Sequence, residues 1–454
     1  MLLSTSLRIQ PKDIVAFVGG GGKTTAMFCL ADELVAQDRR VITTTTTRIF
    51  AAQIKMAPYH ITSSSEGRSH EMFLSRVQAE LAANSHILIT GETSHEGKAF
   101  GVSPELVEEL IAIDGVDAVI YEADGSRMRP FKAPASHEPV LASRTKLLVP
   151  VVGISALGAP LDDGHVHRAE LVAQLASAKL GDPVTVEMIA RVITHREGGI
   201  KSKPSGARAT VLVNAVENDE QLESARRLAR HVLGSNKVEA VAIGAVRTSA
   251  NPIRETHRPI AAIITAAGAG VRMQGRIKQL LPWRGKSLIE NAIEIATQSD
   301  ASETIVVLGA HADEIRGVIR APRTQMVVNS EWDTGHASSI RAALDAVSPM
   351  VDAAIFINVD QPLLTPTVVN RMVQRYRETD AEIITPVYAG KRGSPVLFRR
   401  VHFDGLRSLR GDQGGRELVA KYADRVERVA FDDERLGVDV DTIEEFESLV
   451  GSER

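Results

Sequence analysis

The chain has one cysteine, little net charge and no long hydrophobic run, and each shortage closes off a class of protein. Cys29 is the single cysteine in 454 residues, so no internal disulfide is available and the framework must come from hydrophobic cores. It sits in TTAMFCLADEL, which reads as the apolar face of a helix with Cys29 as a core thiol. A formal net charge of -4 supplies no global basic field, which argues against a nucleic-acid partner and leaves any anion site to a local pocket. No run is long enough to span a bilayer, and the start, MLLSTSLRIQPKD, lacks the hydrophobic region of a secretory signal, so no membrane is expected and a cytoplasmic location is. Repeats of solenoid period, heptad seams and low-complexity tracts are missing too, beyond the threonines at 43–47.

What is present is ordinary globular material, 44% apolar and 24% charged, in a chain long enough for two or three domains at roughly 150 residues each. Strand-like runs alternate with helical patterns: DIVAFV, KTTAMFCLADELVAQ, RVITTTT, HILIT, DAVIYEAD, KLLVPVV, RATVLVNAVE and VEAVAIGAV. That alternation predicts α/β architecture with a parallel sheet and crossover helices in three layers. RTSANPIRETHRP, with two prolines and no apolar periodicity, reads as a linker. Beyond it the series restarts with IAAIITAAGAG, LIENAIEIATQ, ETIVVLGA, TQMVVN and AAIFINVDQP. The expected boundaries are 1–245 for the first domain, 246–258 for the linker and 259–454 for the second.

Each domain opens with a glycine-rich turn behind its first strand. In the first, Val18-Gly-Gly-Gly-Gly-Lys-Thr-Thr25 departs from the phosphate loop G-x-x-x-x-G-K-[ST], because Phe17 stands where the first glycine belongs. Gly19, Gly20, Gly21, Gly22, Lys23 and Thr24 still make a P-loop-like cradle, with backbone amides and a cation for ATP, GTP or phosphate. Glu122 and Asp124 end a later apolar strand on the side of the sheet where ligands bind. In LVNAVE, Ala215 and Glu217 replace the lysine and aspartate of a base-reading Asn-Lys-x-Asp motif, which leaves the base open. His165 and His167 have metal-ligand spacing, but surface or capping histidines read better.

The second turn, Ala266-Ala267-Gly268-Ala269-Gly270, lets amides approach a polyphosphate, with Arg272 and Lys278 to balance its charge. Downstream stand LLPWRGKSLIE, NSEWDTGHASSIRAAL with Ser338 and Ser339, FINVDQP with Asp360, GKRGSPVLF, LRGDQGGRELV and GVDVDTIEEFESL. Asp441 there reads by itself as a cap for the helix that follows.

Taken as sets, two groups of motifs resemble known families. VGGGGKTT, TTTTTRIF, YEADGSR with RPFKAP, and HREGGIKSKPSGARATVLVNAVE look like the YqeC family of accessory proteins for selenium-dependent molybdenum hydroxylases. The second set resembles the MobA-like nucleotidyltransferases, and among them the molybdenum cofactor cytidylyltransferases, which implies a Rossmann-like, GT-A-like domain. The resemblance implies that residues 266–270 with Ser338 and Ser339 hold the nucleotide, that Arg272, Lys278 and Asp360 are catalytic, and that Asp360 with Asp441 or Asp439 binds Mg²⁺ or Mn²⁺. Thr265-Ala266-Ala267-Gly268 and DQP at 360–362 favour CTP over GTP. Ser394 replaces a common histidine and Gln274 a common glycine, placing pterin fit and loop shape in question. The implied reaction makes molybdopterin cytosine dinucleotide from CTP and molybdopterin. The implied client is an apo-molybdenum hydroxylase of the xanthine dehydrogenase kind. The alternatives are a chaperone that carries the finished cofactor, or transfer from GTP or to another phosphorylated acceptor.

Overall fold

The computed structural model describes residues 1–63, 69–94, 97–247, 250–270 and 272–452. It divides into two compact units, Met1–His257 and Arg258–Arg454.

In the first unit, β-branched runs form the strands β1 (Asp13–Gly19), β2 (Val41–Thr45), β3 (His60–Thr62), β4 (His86–Thr90), β5 (Ala118–Glu122), β6 (Leu147–Gly153), β7 (Arg208–Asn214), β8 (Ala240–Gly244) and β9 (Ile253–His257). They form one nine-stranded sheet in the order β9-β8-β7-β6-β1-β5-β2-β4-β3. Every pairing is parallel except that of β8 with the edge strand β9. Alternation along β1 separates the layers: Val15 and Phe17 join the core on one face, and Ile14, Ala16 and Val18 the core on the other. Helix α1 (Lys23–Val35) buries Ala26, Met27, Leu30, Ala31 and Leu34 against the first of these faces. Cys29 lies on the flank of that stripe, half-buried. Burial, then Glu33 and Asp32, push its thiol up to about 12. The buried threonines of β2 satisfy their hydroxyls on His86, Ile89 O and Glu122 O.

One expectation is corrected here. The predicted linker 246–258 contains β9, and Thr248 and Ser249 lie outside the described residues. The charges that looked like solvated chain are buried instead. Glu255 receives Arg226 from helix α2 (Asp219–Leu233) and a 2.8 Å contact from His257.

The second unit has strands β10 (Ile260–Ala266), β11 (Glu303–Leu308), β12 (Thr324–Val328), β13 (Ala353–Asn358), β14 (Ile383–Tyr388), β15 (Lys391–Arg392), β16 (Val396–Arg399) and β17 (Val426–Phe431). Their order is β12-β11-β10-β13-β16-β14-β15, with β17 beside β14. Around β10 the sheet is parallel, and β16 enters antiparallel to both neighbours. Ile260, Ala262 and Ile264 face helices α3 (Leu288–Thr297) and α5 (Pro366–Thr379), while Ala261 and Ile263 face α4 (His336–Ala346). Both units are therefore three-layer α/β, the second Rossmann-like. Among the described residues no helix is long and apolar enough to cross a membrane.

Candidate active site

The chain leaves the carboxyl end of β10 into the second glycine-rich turn, the end where a parallel sheet opens a ligand crevice. The turn's carbonyls are turned to protein: Gln279 Nε2 donates to Ala266 O and Gly268 O, both at 2.8 Å, and Ala310 N to Ala267 O at 3.0 Å. The amides of Gly268, Ala269 and Gly270 find no protein acceptor among the described residues. They border a cleft of about 760 Å³ that also takes in Arg272, Lys278, Asp360 and Asp441.

Those four side chains meet. Lys278 Nζ lies 2.8 Å from Asp360 Oδ2 and 3.3 Å from Asp441 Oδ1, and Arg272 Nη2 lies 3.5 Å from Asp441 Oδ2. Asp360 follows β13 at the sheet's carboxyl end. The C-terminal segment is brought to it by a backbone bond, Val440 N to Asp360 O at 2.9 Å. Residues 439 and 441 then flank Asp360, but only Asp441 lines the cleft. Asp441 does not cap helix α6 (Ile443–Ser452): Thr442 Oγ1 accepts from Glu445 N, and Glu445 Oε2 accepts from Asp441 N and Thr442 N. Its carboxylate is thereby free for the cleft. Burial, then the negative charges of Asp360 and Asp441, push Asp439 up to about 6.

A divalent ion fits what is here. Asp360 Oδ1 is buried without a hydrogen-bond partner among the described residues, and Lys278 links Asp360 to the carboxylate of Asp441. Among the described residues no group of three or more His, Cys, Asp or Glu converges as a metal site, but Mg²⁺ is commonly held by one or two carboxylates and completed by substrate phosphates.

Ser339 borders the cleft and Ser338 does not. Asn329 Nδ2 donates to both hydroxyls, at 2.8 and 3.1 Å, and Ser338 Oγ donates to Gly335 O at 2.8 Å, so Ser338 ties the start of α4 rather than meeting a ligand. Gln274 has φ +50°, which explains why a glycine suits the position; its side chain donates to Glu444 at 2.8 Å. Ser394 lines the cleft, and its carbonyl accepts from Tyr388 at 2.8 Å. Sequence reasoning missed Gln279, His336 and Arg416. The last two lie in or beside motifs already quoted, yet nothing in the order of residues says that 336 and 416 share a cleft wall.

The first glycine-rich turn is built differently. Gly19 N donates to both oxygens of Asp124 at 3.1 Å, Gly20 N to Val151 O at 2.9 Å and Gly21 N to Arg129 O at 3.0 Å. Lys23 is buried, with Nζ 2.6 Å from Gly19 O, 3.4 Å from Glu122 and 3.3 Å from Asp124. Burial works against its charge, but the two carboxylates outweigh it and raise its pKa. Thr24 Oγ1 donates to Glu122 at 2.7 Å. The charges continue as an alternating row through Lys132, Glu138 and Arg168. His165 pairs with Asp162 at 2.8 Å, and burial, then nearby cations led by Arg168, lower His167 to about 4. Asn214 Nδ2 donates to Gly21 O at 2.8 Å and Oδ1 accepts from Val246 N, so the asparagine of LVNAVE braces the turn.

Comparison with known proteins separates the two units in the same way. The MobA-like NTP transferase domain matches residues 262–426. Nicotine blue oxidoreductase of Paenarthrobacter nicotinovorans is 33% identical over 200 residues, covering 42% of this chain and 96% of its own. The chain belongs to the MobA-like NTP transferase family. The YqeC protein family matches residues 15–170. YqeC of Escherichia coli (strain K12) is 28% identical over 234 residues, 52% of this chain and 88% of its own. Among solved structures, Rv0371c of Mycobacterium tuberculosis H37Rv shares 30% identity at a TM-score of 0.39, covering 42% of this chain and 98% of that one. A manganese complex of Rv0371c has a TM-score of 0.38. The MobA-like unit is thus a nucleotidyltransferase domain by family, joined to a YqeC domain.

Proposed function

We propose that the MobA-like unit transfers CMP from CTP to the terminal phosphate of molybdopterin, forming molybdopterin cytosine dinucleotide and pyrophosphate. A new P–O bond forms between the acceptor phosphate and the α-phosphorus of CTP, and the bond from that phosphorus to the β-phosphate oxygen breaks. The nucleophile is already an anion and needs no general base, so the difficulty is repulsion between phosphates. The observation that carries the reading is one cleft whose lining combines unbonded loop amides with Arg272, Lys278, Asp360 and Asp441, the two carboxylates joined through Lys278. The amides and Arg272 receive the departing pyrophosphate, and Lys278 balances the α-phosphate. Asp360 and Asp441 are the residues that would hold Mg²⁺ or Mn²⁺, which when bound neutralises phosphate charge. The Thr265–Gly268 signature favours CTP.

The YqeC-like unit serves the same maturation in this reading, with an apo-molybdenum hydroxylase of the xanthine dehydrogenase kind as client. The ATP, GTP or phosphate expected at Gly19–Thr24 is in this reading left to the uncapped amino end of α1, because the amides of Gly19, Gly20 and Gly21 and the ammonium of Lys23 are bonded to protein.

The test is pyrophosphate release by the full chain from CTP and GTP, with and without Mo-molybdopterin. CTP with molybdopterin is expected to react, and GTP to be at least tenfold slower. Faster reaction with GTP would move the base assignment. Two further arms follow from the rivals. Oxidation of a nicotinamide cofactor is measured because one relative bears an oxidoreductase name. Product binding and hydroxylase capture are measured in Asp360→Ala, where a carrier would keep both without turnover.

A further inference from the structure

The wall of the cleft formed by residues 409–417 is held firmly. Ala337 N donates to Gly411 O and Arg341 Nη1 to Leu409 O, both at 2.9 Å. Gly335 has φ +109°, and a Cβ there would stand 2.3 Å from Gly411 C; one on Gly415 would stand 2.8 Å from the Phe398 ring. Within the turn, Gln413 Oε1 accepts from Arg410 N at 2.9 Å and Glu417 Oε2 from Gly414 N at 3.1 Å. Glu417 is therefore committed to its own backbone.

What this frame offers the cleft is a cation with no bonded partner. Arg416 lines the cavity and, among the described residues, makes no hydrogen bond or ion pair; its charge acts on Asp439, which does not line the cleft. By contrast, Arg272 is paired with Asp441, and Lys278 with Asp360 and Asp441. His336 lines the cavity as well, with neither ring nitrogen hydrogen-bonded among the described residues, and faces the carboxylates of Asp360, Asp412 and Glu417.

Joining two phosphates requires charge for each. The loop amides, Arg272 and Lys278 serve the nucleotide, which leaves the acceptor's phosphate without a partner on that side. We propose that Arg416, which shares the cleft lining with His336, is a phosphomonoester subsite that seats the acceptor; the identity of the acceptor, though not the chemistry of the subsite, rests on the transfer reading above. A guanidinium fork matches two phosphate oxygens, and an imidazole adds a third contact from the Asp360 side. Asp412 and Glu417 on the same wall repel any anion the guanidinium does not neutralise. Arg416 is a positioning residue that makes the site selective for a charged acceptor.

The experiment is calorimetric titration of phenyl phosphate into the full chain loaded with Mg²⁺ and a non-hydrolysable CTP analogue. Wild type is expected to bind saturably. Arg416→Ala should weaken binding by about 10- to 100-fold, the worth of a charge-assisted pair. Arg416→Lys should fall between, because lysine keeps the charge and loses the fork. Arg410→Ala, which disturbs the same turn through its backbone bonds, should stay within about threefold; equal losses in the two alanine variants would mean a loosened turn and would overturn the assignment. So would wild-type protein that binds no phenyl phosphate, or an Arg416→Ala protein that binds it as wild type does. Arg416-dependent binding in a chain that transfers nothing to molybdopterin would keep the subsite and remove the transfer reading.

Discussion

The two glycine-rich turns begin alike, each behind the first strand of a three-layer unit, and end as opposites. In the first, three successive amides are spent on Asp124, Val151 and Arg129, and the lysine is locked between two carboxylates with its side chain 2% exposed. In the second, three successive amides have no protein acceptor, and the turn borders an open cleft. The glycines answer to different demands. A Cβ on Gly21 would lie 2.2 Å from Gly153 N, and one on Gly20 2.5 Å from Arg129 O, so the first turn needs glycine because backbone crowds it. A Cβ on Gly268 would meet nothing within 4 Å. Glycine content reports close approach, and whether the approaching group is protein or ligand depends on which amides remain unbonded.

The sharpest way to break this comparison is Asp360→Ala, expected to lower nucleotidyl transfer by more than about 10³-fold, with Lys278→Ala lowering it by on the order of 10²–10³. Steady-state pyrophosphate release measures both, and full turnover in Asp360→Ala would put the chemistry elsewhere.

A paired glycine substitution sharpens it next. Gly21→Ala is expected to destabilise by about 2–4 kcal/mol, combining its φ of +79° with the clash at Gly153. Gly268→Ala should change stability by no more than about 0.5 kcal/mol and raise the KM for CTP by about tenfold. Denaturant titration and kinetics separate the two costs, and equal melting losses would erase the distinction between the turns.

The smallest effects are expected in the response to pH, where the two sites have opposite signs. Burial favours neutral Glu138, but Arg168 and Lys132 outweigh it and hold its pKa down at about 2. Its contribution is present above the ordinary carboxylate range near 4.5 and is lost as pH falls from there toward 2. Asp439, raised to about 6, favours the fold most below 3.8 and loses that contribution as pH rises through 6. Glu138→Gln should flatten the acid limb of stability, and Asp439→Asn the slope between pH 4 and 6, in calorimetry of the full chain. Mutant and wild-type pH curves that run parallel would contradict both assignments.

Much of this was legible before any coordinates. β-branched apolar runs predicted seven of the nine strands of the first sheet and the four parallel strands around β10 in the second, because a strand buried on both faces needs little beyond local residue type; β3, β9 and β14 to β17 carried no such signal. The role expected of Asp360 came from the resemblance to the MobA-like family, but its place just past a buried strand, at the ligand edge of an α/β sheet, was legible too. The edge strand Ile253–His257 was not, since its Glu255 and His257 look solvated until Arg226, far off in the chain, closes on them. The role of Asp441 was equally undecided, because a helix cap and a metal ligand have the same spelling. Thr442 taking the cap settled its availability to the cleft.

The sequence by itself determined two α/β units, the strand ends at which their sites lie, and the residues able to carry phosphate chemistry. Only the tertiary structure decided which groups are already satisfied. That the first lysine is saturated, that Lys278 joins Asp360 to Asp441, and that Arg416 and His336 line one cleft all depend on residues brought together from tens of positions away. The physical reason is that strand propensity is a local property, whereas desolvation and charge pairing are summed over everything the fold brings within a few ångströms.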